Sequence, residues 1–232
     1  MIGVGLWTLL LGGWRALRQT DVKLVLAYGT VSQLGFLMVA NGLGVRDAAL
    51  AGLAMLLAHA LFKAPLFMVV GIIDHEAGTR DLRELSGIGR RHPVLAAVAV
   101  LAAASMAGLP PLFGFVAKEA VLQSLTDHGA GHGGLLAWAP LVLMAAGSVL
   151  TVAYTWRFLW GAFATKRTPD GAAVPATRFH TRVTFLELAP AALLALTGLV
   201  LAVLPGPLEH LLAAHTATIP ALDPAASPAH LA

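Results

Sequence analysis

Lysine and arginine occupy different places in this chain. It has four lysines and eleven arginines. Lys23, Lys63 and Lys118 fall inside apolar stretches, whereas the arginines fall between such stretches or near their ends. A guanidinium stays protonated in proteins, but an ammonium group can release its proton when it is desolvated. A group that carries protons through an apolar medium must do both. His59 lies four residues before Lys63. On a helix that spacing sets the two side chains on one face, about one turn apart. Histidine titrates near neutral pH, so the pair can pass a proton along a line of water. Packing with a satisfied histidine is the plainer reading. Lys118 is followed by Glu119, but neighbours in a helix point in different directions and need not pair. Lys118 could instead be an interfacial lysine reaching for water, and Lys23, near the end of its stretch, fits that alternative as well. Tyr28, Thr30, Ser32 and Gln33 share the stretch of Lys23. They can hydrogen-bond across helices or hold water.

The elements that position these groups must be membrane helices. Apolar residues form 58% of the chain and charged residues 12%, with a mean hydropathy of +0.79. That leaves too little charge to coat a soluble fold. Six apolar segments are read at 2–17, 21–41, 47–73, 93–127, 135–163 and 187–204. About 20 helical residues cross the hydrocarbon core. The first segment is short and starts with the chain, as if cut from a longer protein. Segment 93–127 is too long for one straight span and contains Pro110 and Pro111. Proline removes a backbone donor and restricts the residue before it. A broken helix is therefore expected, 93–108 followed by 112–127. Irregular backbone at membrane depth is tolerated only inside protein or beside a watery cavity, and transporters place ion sites there. Pro65 should loosen the turn around Leu61.

Basic residues alternate between rich and poor connections. Arg15 and Arg18 follow the first segment, and only Arg46 follows the second. Arg80, Arg83, Arg90 and Arg91 follow the third, and the connection at 128–134 has none. Lys166, Arg167, Arg178 and Arg182 come next. The positive-inside rule then predicts both ends of the chain outside the cytoplasm, provided 93–127 crosses once. Residues 205–232 read as an external Ala- and Pro-rich tail.

Several chemistries are set aside. There is no cysteine, hence no thiolate metal site, disulfide or cysteine nucleophile. His128 and His132 have helical ligand spacing but no third ligand nearby, so no metal site is expected. No phosphate-binding or hydrolase motif occurs in its required context, and no cofactor is expected. The basic pI rests on few residues and does not indicate nucleic-acid binding.

Three stretches carry a family resemblance: DVKLVLAYGTVSQLGF at 21–36, AHALFKAPLF at 58–67 and SMAGLPPLFGFVAKE at 105–119. Each contains one of the three lysines, and their order resembles that of the antiporter-like membrane subunits. That family includes the large subunits of Mrp-type Na⁺/H⁺ antiporters and the proton-pumping membrane subunits of respiratory complex I. The resemblance covers about residues 5–165. It implies an all-α transmembrane bundle built from inverted five-helix repeats, each with a broken helix. Residues 1–165 would be the second repeat, 166–186 a cytoplasmic loop and 187–204 a further helix. By the same resemblance Lys23 is the central lysine, His59 and Lys63 the relay, and Lys118 the terminal lysine.

DHEAGTRDL at 74–82 resembles the Mrp-type large subunit more than its complex I counterparts. So does Met55, where complex I large subunits carry a second histidine. Pro65 departs from the family pattern. The implied function is proton translocation in a multi-subunit Na⁺/H⁺ antiporter of the cell membrane. The partners would be other membrane subunits, H⁺, Na⁺ and the lipid bilayer. Two alternatives stand beside it: a redox-driven pumping subunit, or a non-conducting structural one. The first repeat is absent, so a fragment or a split gene product is expected, and it would not be an enzyme.

Overall fold

The computed structural model describes residues 1–44, 46–132 and 135–204. The tail expected at 205–232 lies outside the described residues, as do the side chains of His128 and His132. Among the described residues the regular structure is helical: α1 Ile2–Leu17, α2 Val22–Gly42, α3 Arg46–Ala77, α4 Ile88–Arg91, α5 Pro93–Ala107, α6 Phe113–His132, α7 Ala139–Phe163 and α8 Phe185–Val203. Four of these, α2, α3, α7 and α8, are long and apolar enough to cross a membrane, while α1 and α5 are shorter apolar helices.

Polarity is arranged inside out. Ser32, Gln33, Lys63, Lys118 and Thr151 are buried, whereas Trp7, Trp14, Val149, Trp156 and Leu193 are exposed. A soluble domain could not leave such an outer surface in water, but a bilayer accepts it. Close helix packing has a matching sequence cause. In α2 Gly35, an added Cβ would lie 2.4 Å from the backbone nitrogen of Leu9 in α1. Small residues of this kind let membrane helices approach backbone to backbone.

Local signals fix the helix ends. Asp21 caps α2 by accepting from the amides of Lys23 (2.7 Å) and Leu24 (3.1 Å), satisfying donors that the first turn leaves free. Thr184 and Glu187 form a capping box at α8. Pro93 starts α5, where its missing N–H costs nothing. Gly108 ends α5 with φ +82°, and its amide bonds to the carbonyls of Ala104 and Ser105. That left-handed turn suits glycine.

The break predicted in segment 93–127 is present, between Ala107 and Phe113, with a cis peptide bond at Pro110–Pro111. Other boundaries differ from expectation. α3 continues to Ala77 and α6 to His132, and a short 3₁₀ turn, Leu135–Trp138, precedes α7. Pro65 does not interrupt α3; the helix runs through it. Its neighbours hold the backbone in place, since Phe62, Pro65 and Leu66 are all buried.

The basic connections meet at one end of the bundle. The Leu82 amide bonds to the Thr20 carbonyl at 2.7 Å, and Val22 to Arg80 at 2.9 Å. Arg157 donates to the Gln19 carbonyl from Nε (3.2 Å) and Nη2 (2.9 Å). The connection between α7 and α8 lies across the same end. Gly87 bonds to Ala164 at 2.9 Å and Thr177 to Ser86 at 2.7 Å. Buried Glu76, at the foot of α3, accepts from the Thr181 amide (2.6 Å) and hydroxyl (2.7 Å). α5 departs from this end and α7 returns to it, so α5 and α6 together carry the chain to the opposite end.

Candidate functional site

Lys63 lies near the middle of α3 and is 4% exposed. Nζ donates to the Leu26 carbonyl of α2 at 3.1 Å. Thr30 Oγ1 donates to the same carbonyl at 2.9 Å. The Lys63 Nζ stands 6.0 Å from the centroid of the Tyr154 ring on α7, at the outer limit of a cation–π contact. Gly29 makes room for both, because a Cβ there would lie 2.9 Å from Tyr154 Cε2 and 3.1 Å from Lys63 Nζ. Gln33 Nε2 donates to Thr151 Oγ1 (3.0 Å) and Tyr154 Oη (3.3 Å). The two hydroxyls donate onward to the carbonyls of Gly147 (3.0 Å) and Gly29 (3.4 Å). Gln33 Oε1 is buried and receives no hydrogen bond from the described residues. A buried acceptor of this kind calls for a donor such as water.

His59 is half-buried, one turn before Lys63 on α3, with its ring edge-on to Phe62 at 5.4 Å. Its Nδ1 is buried without a partner among the described residues.

Lys118 uses the helix break directly. It is 6% exposed, and Nζ donates to the carbonyls of Met106 (3.2 Å) and Ala107 (3.4 Å). Those oxygens end α5 and have no partner within that helix. The carbonyl end of a helix also attracts a cation. α5 has 15 residues, so Ala107 lies about 21 Å from Pro93 at the rise of a regular helix, well inside the bundle. Ser105 Oγ accepts from the Gly114 amide at 3.1 Å, which ties the two sides of the break together. Pro110 and Pro111 are exposed and make the break without touching the cation.

The remaining expected residues separate. Lys23 is exposed in the first turn of α2 and lies apart from the buried Lys63 and Lys118. The Asp21 cap holds its backbone amide at 2.7 Å. Glu119 is also exposed. Ser32 Oγ donates to the Leu9 carbonyl at 2.8 Å and joins α2 to α1, which is interhelical binding. Tyr28 is half-buried. Among the described residues no group of three His, Asp or Glu could hold a metal ion.

Sequence reasoning overlooked Tyr154 and Thr151. They are three residues apart in a largely apolar segment, so they share a helix face; that signal was available. The carbonyls of Leu26, Met106 and Ala107 carry no sequence signal, because every residue has one.

Fold and site define a class: a helical membrane protein with ammonium groups buried against backbone carbonyls, one of them at a discontinuous helix. Comparison with known proteins makes this specific. The profile of the NADH:quinone oxidoreductase/Mrp antiporter transmembrane family matches residues 1–151, and the chain belongs to that family.

The chain is similar to a Na(+)/H(+) antiporter subunit of Bacillus subtilis (strain 168), with 40% identity over 185 residues, covering 72% of this chain and 23% of that protein. It is similar to a probable K(+)/H(+) antiporter subunit of Rhizobium meliloti (strain 1021), with 44% identity over 160 residues, covering 68% of this chain and 16% of the other. Among solved structures, a chain of the Mrp complex from Dietzia sp. DQ12-45-1b matches with a TM-score of 0.80 and 26% identity, over 94% of this chain and 47% of that one. Respiratory complex I from Thermus thermophilus has a chain of like fold, with a TM-score of 0.74 and 24% identity over 94% of this chain and 44% of the other. The present chain therefore spans about a fifth of the length of the curated relatives named here.

Proposed function

We propose that this chain is the second-repeat module in one subunit of a monovalent cation/proton antiporter, and that it moves protons through Lys63, His59 and Lys118. The observation that carries this is the Lys118 ammonium, buried at the helix break on the carbonyls of Met106 and Ala107. No carboxylate lies within ion-pair distance of Lys63 or Lys118 among the described residues. A buried charge without a counterion is costly, and an ammonium can relieve that cost by releasing its proton. Each lysine is then a loading point, and water held by Gln33 and His59 supplies the steps between them.

In this reading the chain makes six crossings, with α5 and α6 forming one discontinuous crossing. The basic end faces the cytoplasm by the positive-inside rule, so both described ends of the chain face outward in the plasma membrane. The rest of the antiporter comes from further segments and from other membrane subunits. Named relatives differ in their cation, Na⁺ in one and K⁺ in another, so the exchanged ion is set within the whole complex. Na⁺ is favoured here by the resemblance of residues 74–82 to the Mrp-type large subunit. Identities of 40% and 44% to proteins named as antiporter subunits also favour antiport over redox-driven pumping, because the complex I likeness is one of fold.

The test is Lys118→Met in the full-length protein within its complex, with Lys63→Met beside it. Methionine keeps the apolar fit of each stem and removes the transferable proton. The expected result is normal assembly with cation-driven proton movement reduced at least tenfold in everted membrane vesicles. Unchanged antiport at normal protein level would refute the reading. A loss of assembly in both variants, with transport per assembled complex intact, would favour a structural role.

A further inference from the structure

A cavity of about 680 Å³ opens on the outside of the bundle at its basic end. Leu17, Leu82, Trp156 and Trp160 form its apolar wall, and Arg83, Arg157 and Lys166 bring cations to it. It is remote in character from the buried lysines, whose residues do not line it.

Charge accounting singles out the cavity. Arg83 is neutralised by Asp81, with Nη2 at 2.6 Å from Oδ2. Arg157 has no carboxylate within 4.0 Å among the described residues, and its partner is the Gln19 carbonyl. Lys166 Nζ donates to the carbonyls of Leu82, Leu85 and Gly161, again with no carboxylate in ion-pair range. Two cations thus face one cavity with neutral oxygens as their hydrogen-bond partners, and Asp81, already bonded to Arg83, acts on Lys166 only from beyond ion-pair distance. Arg15 and Arg18, exposed at the end of α1, add positive charge to the same end. An anion would complete the site.

The walls state what kind of anion. Trp156 and Trp160 are 65% and 58% exposed, and their rings stack at 5.8 Å. α7 ends at Phe163, so Trp160 is about 5 Å and Arg157 about 9 Å short of the helix end. Both lie within the last two turns of α7, toward the membrane boundary at the basic end of the bundle. Tryptophans collect at that boundary. Basic pockets between helices at the same level take anionic lipid headgroups. The volume lies within the range of small-ligand sites, about 300–1,000 Å³.

We propose that this cavity binds one anionic phospholipid, with its phosphodiester hydrogen-bonded by Arg157, the Lys166 ammonium adding only its charge, and its upper acyl chain along Trp156 and Trp160. A free phosphate would satisfy the cations but would leave the stacked indoles without a partner. A zwitterionic lipid carries its own cation and would gain less from the uncompensated charge.

The experiment is native mass spectrometry of the delipidated, full-length protein in its complex, titrated with dioleoyl-phosphatidylglycerol or dioleoyl-phosphatidylcholine. One phosphatidylglycerol should be retained in preference to phosphatidylcholine, and millimolar inorganic phosphate should not displace it. Arg157→Gln should weaken that retention about fivefold, the effect of one basic residue at an anionic lipid surface. If Arg157→Gln disturbs assembly through its lost bonds to Gln19, Trp160→Leu tests the other half of the site, and it too should reduce retention. Equal retention of phosphatidylcholine, displacement by inorganic phosphate, or wild-type retention in both variants would overturn the proposal. Density for another protein lying over Trp156 and Trp160 would do the same.

Discussion

Replacing Gly29 with alanine should disable the Lys63 site without removing any of its polar groups. The new Cβ would sit 2.9 Å from Tyr154 Cε2 and 3.1 Å from Lys63 Nζ. Carbon atoms in contact prefer about 3.5–4.0 Å, so the ring must retreat by about 0.6–1.1 Å. Tyr154 is fully buried, and overpacking of this size costs about 1–3 kcal/mol. The shift also matters chemically. Tyr154 Oη is 3.4 Å from the Gly29 carbonyl and 3.3 Å from Gln33 Nε2, so a retreat of this size takes both contacts beyond hydrogen-bond range. The Lys63 ammonium, on a flexible stem, moves off the Leu26 carbonyl. A misplacement of about 1 Å in a reacting group can cost about a hundredfold in rate. The assay is cation-driven dequenching of a pH-sensitive dye in everted vesicles, normalised to assembled protein. Gly71→Ala, where a Cβ meets nothing within 4 Å, is the control and should leave transport unchanged. Wild-type transport in Gly29→Ala, at wild-type protein level, would refute the role given to this cluster.

Gly114→Ala should be more damaging to the fold than Gly29→Ala. Its Cβ would lie 1.9 Å from the Ser105 carbonyl oxygen, a backbone atom that cannot swing away. We expect a destabilisation of about 3 kcal/mol or more, read as loss of assembled protein and a lower unfolding temperature. Thr181→Val removes the hydroxyl bond to Glu76 while keeping the amide bond and should loosen the connection, seen as faster proteolysis within 166–184. Asp81 is held at about 2 by its hydrogen bonds to Arg83, below the usual carboxylate range. A depressed carboxylate contributes stability that is present above its unfolded value of 3.8 and lost as pH falls through about 2. Asp81→Asn should therefore leave the pH profile of transport above pH 5 unchanged in shape, which dye dequenching across pH 5–8 would check.

Much of the protein is legible without coordinates because membranes impose simple rules. The apolar segments, their approximate lengths and the break at Pro110–Pro111 follow from hydropathy and from the missing proline donor. Three lysines stand out because an ionisable group in an apolar run is costly. Hydropathy does not say which way a side chain faces, and this is where Lys23 parts from Lys63 and Lys118. All three sit in apolar stretches of sequence. Lys23 lies in the first turn of α2 and is exposed, while the other two lie at mid-helix or at the break and are buried. Pro65 fails as a local predictor for a related reason, since α3 continues through it among buried neighbours.

The sequence by itself determined the class, the segments and the residue types able to carry a proton, because these depend on composition and on spacing along one helix. Only the tertiary structure decided what each ammonium touches. Lys63 reaches Leu26, Gly29 and Tyr154 across α2 and α7, and Lys118 reaches back across the break to Met106 and Ala107. These partners are carbonyl oxygens and small residues drawn from separate helices. A carbonyl is present at every position, so its role arises only when a helix ends or another helix approaches closely enough to use it.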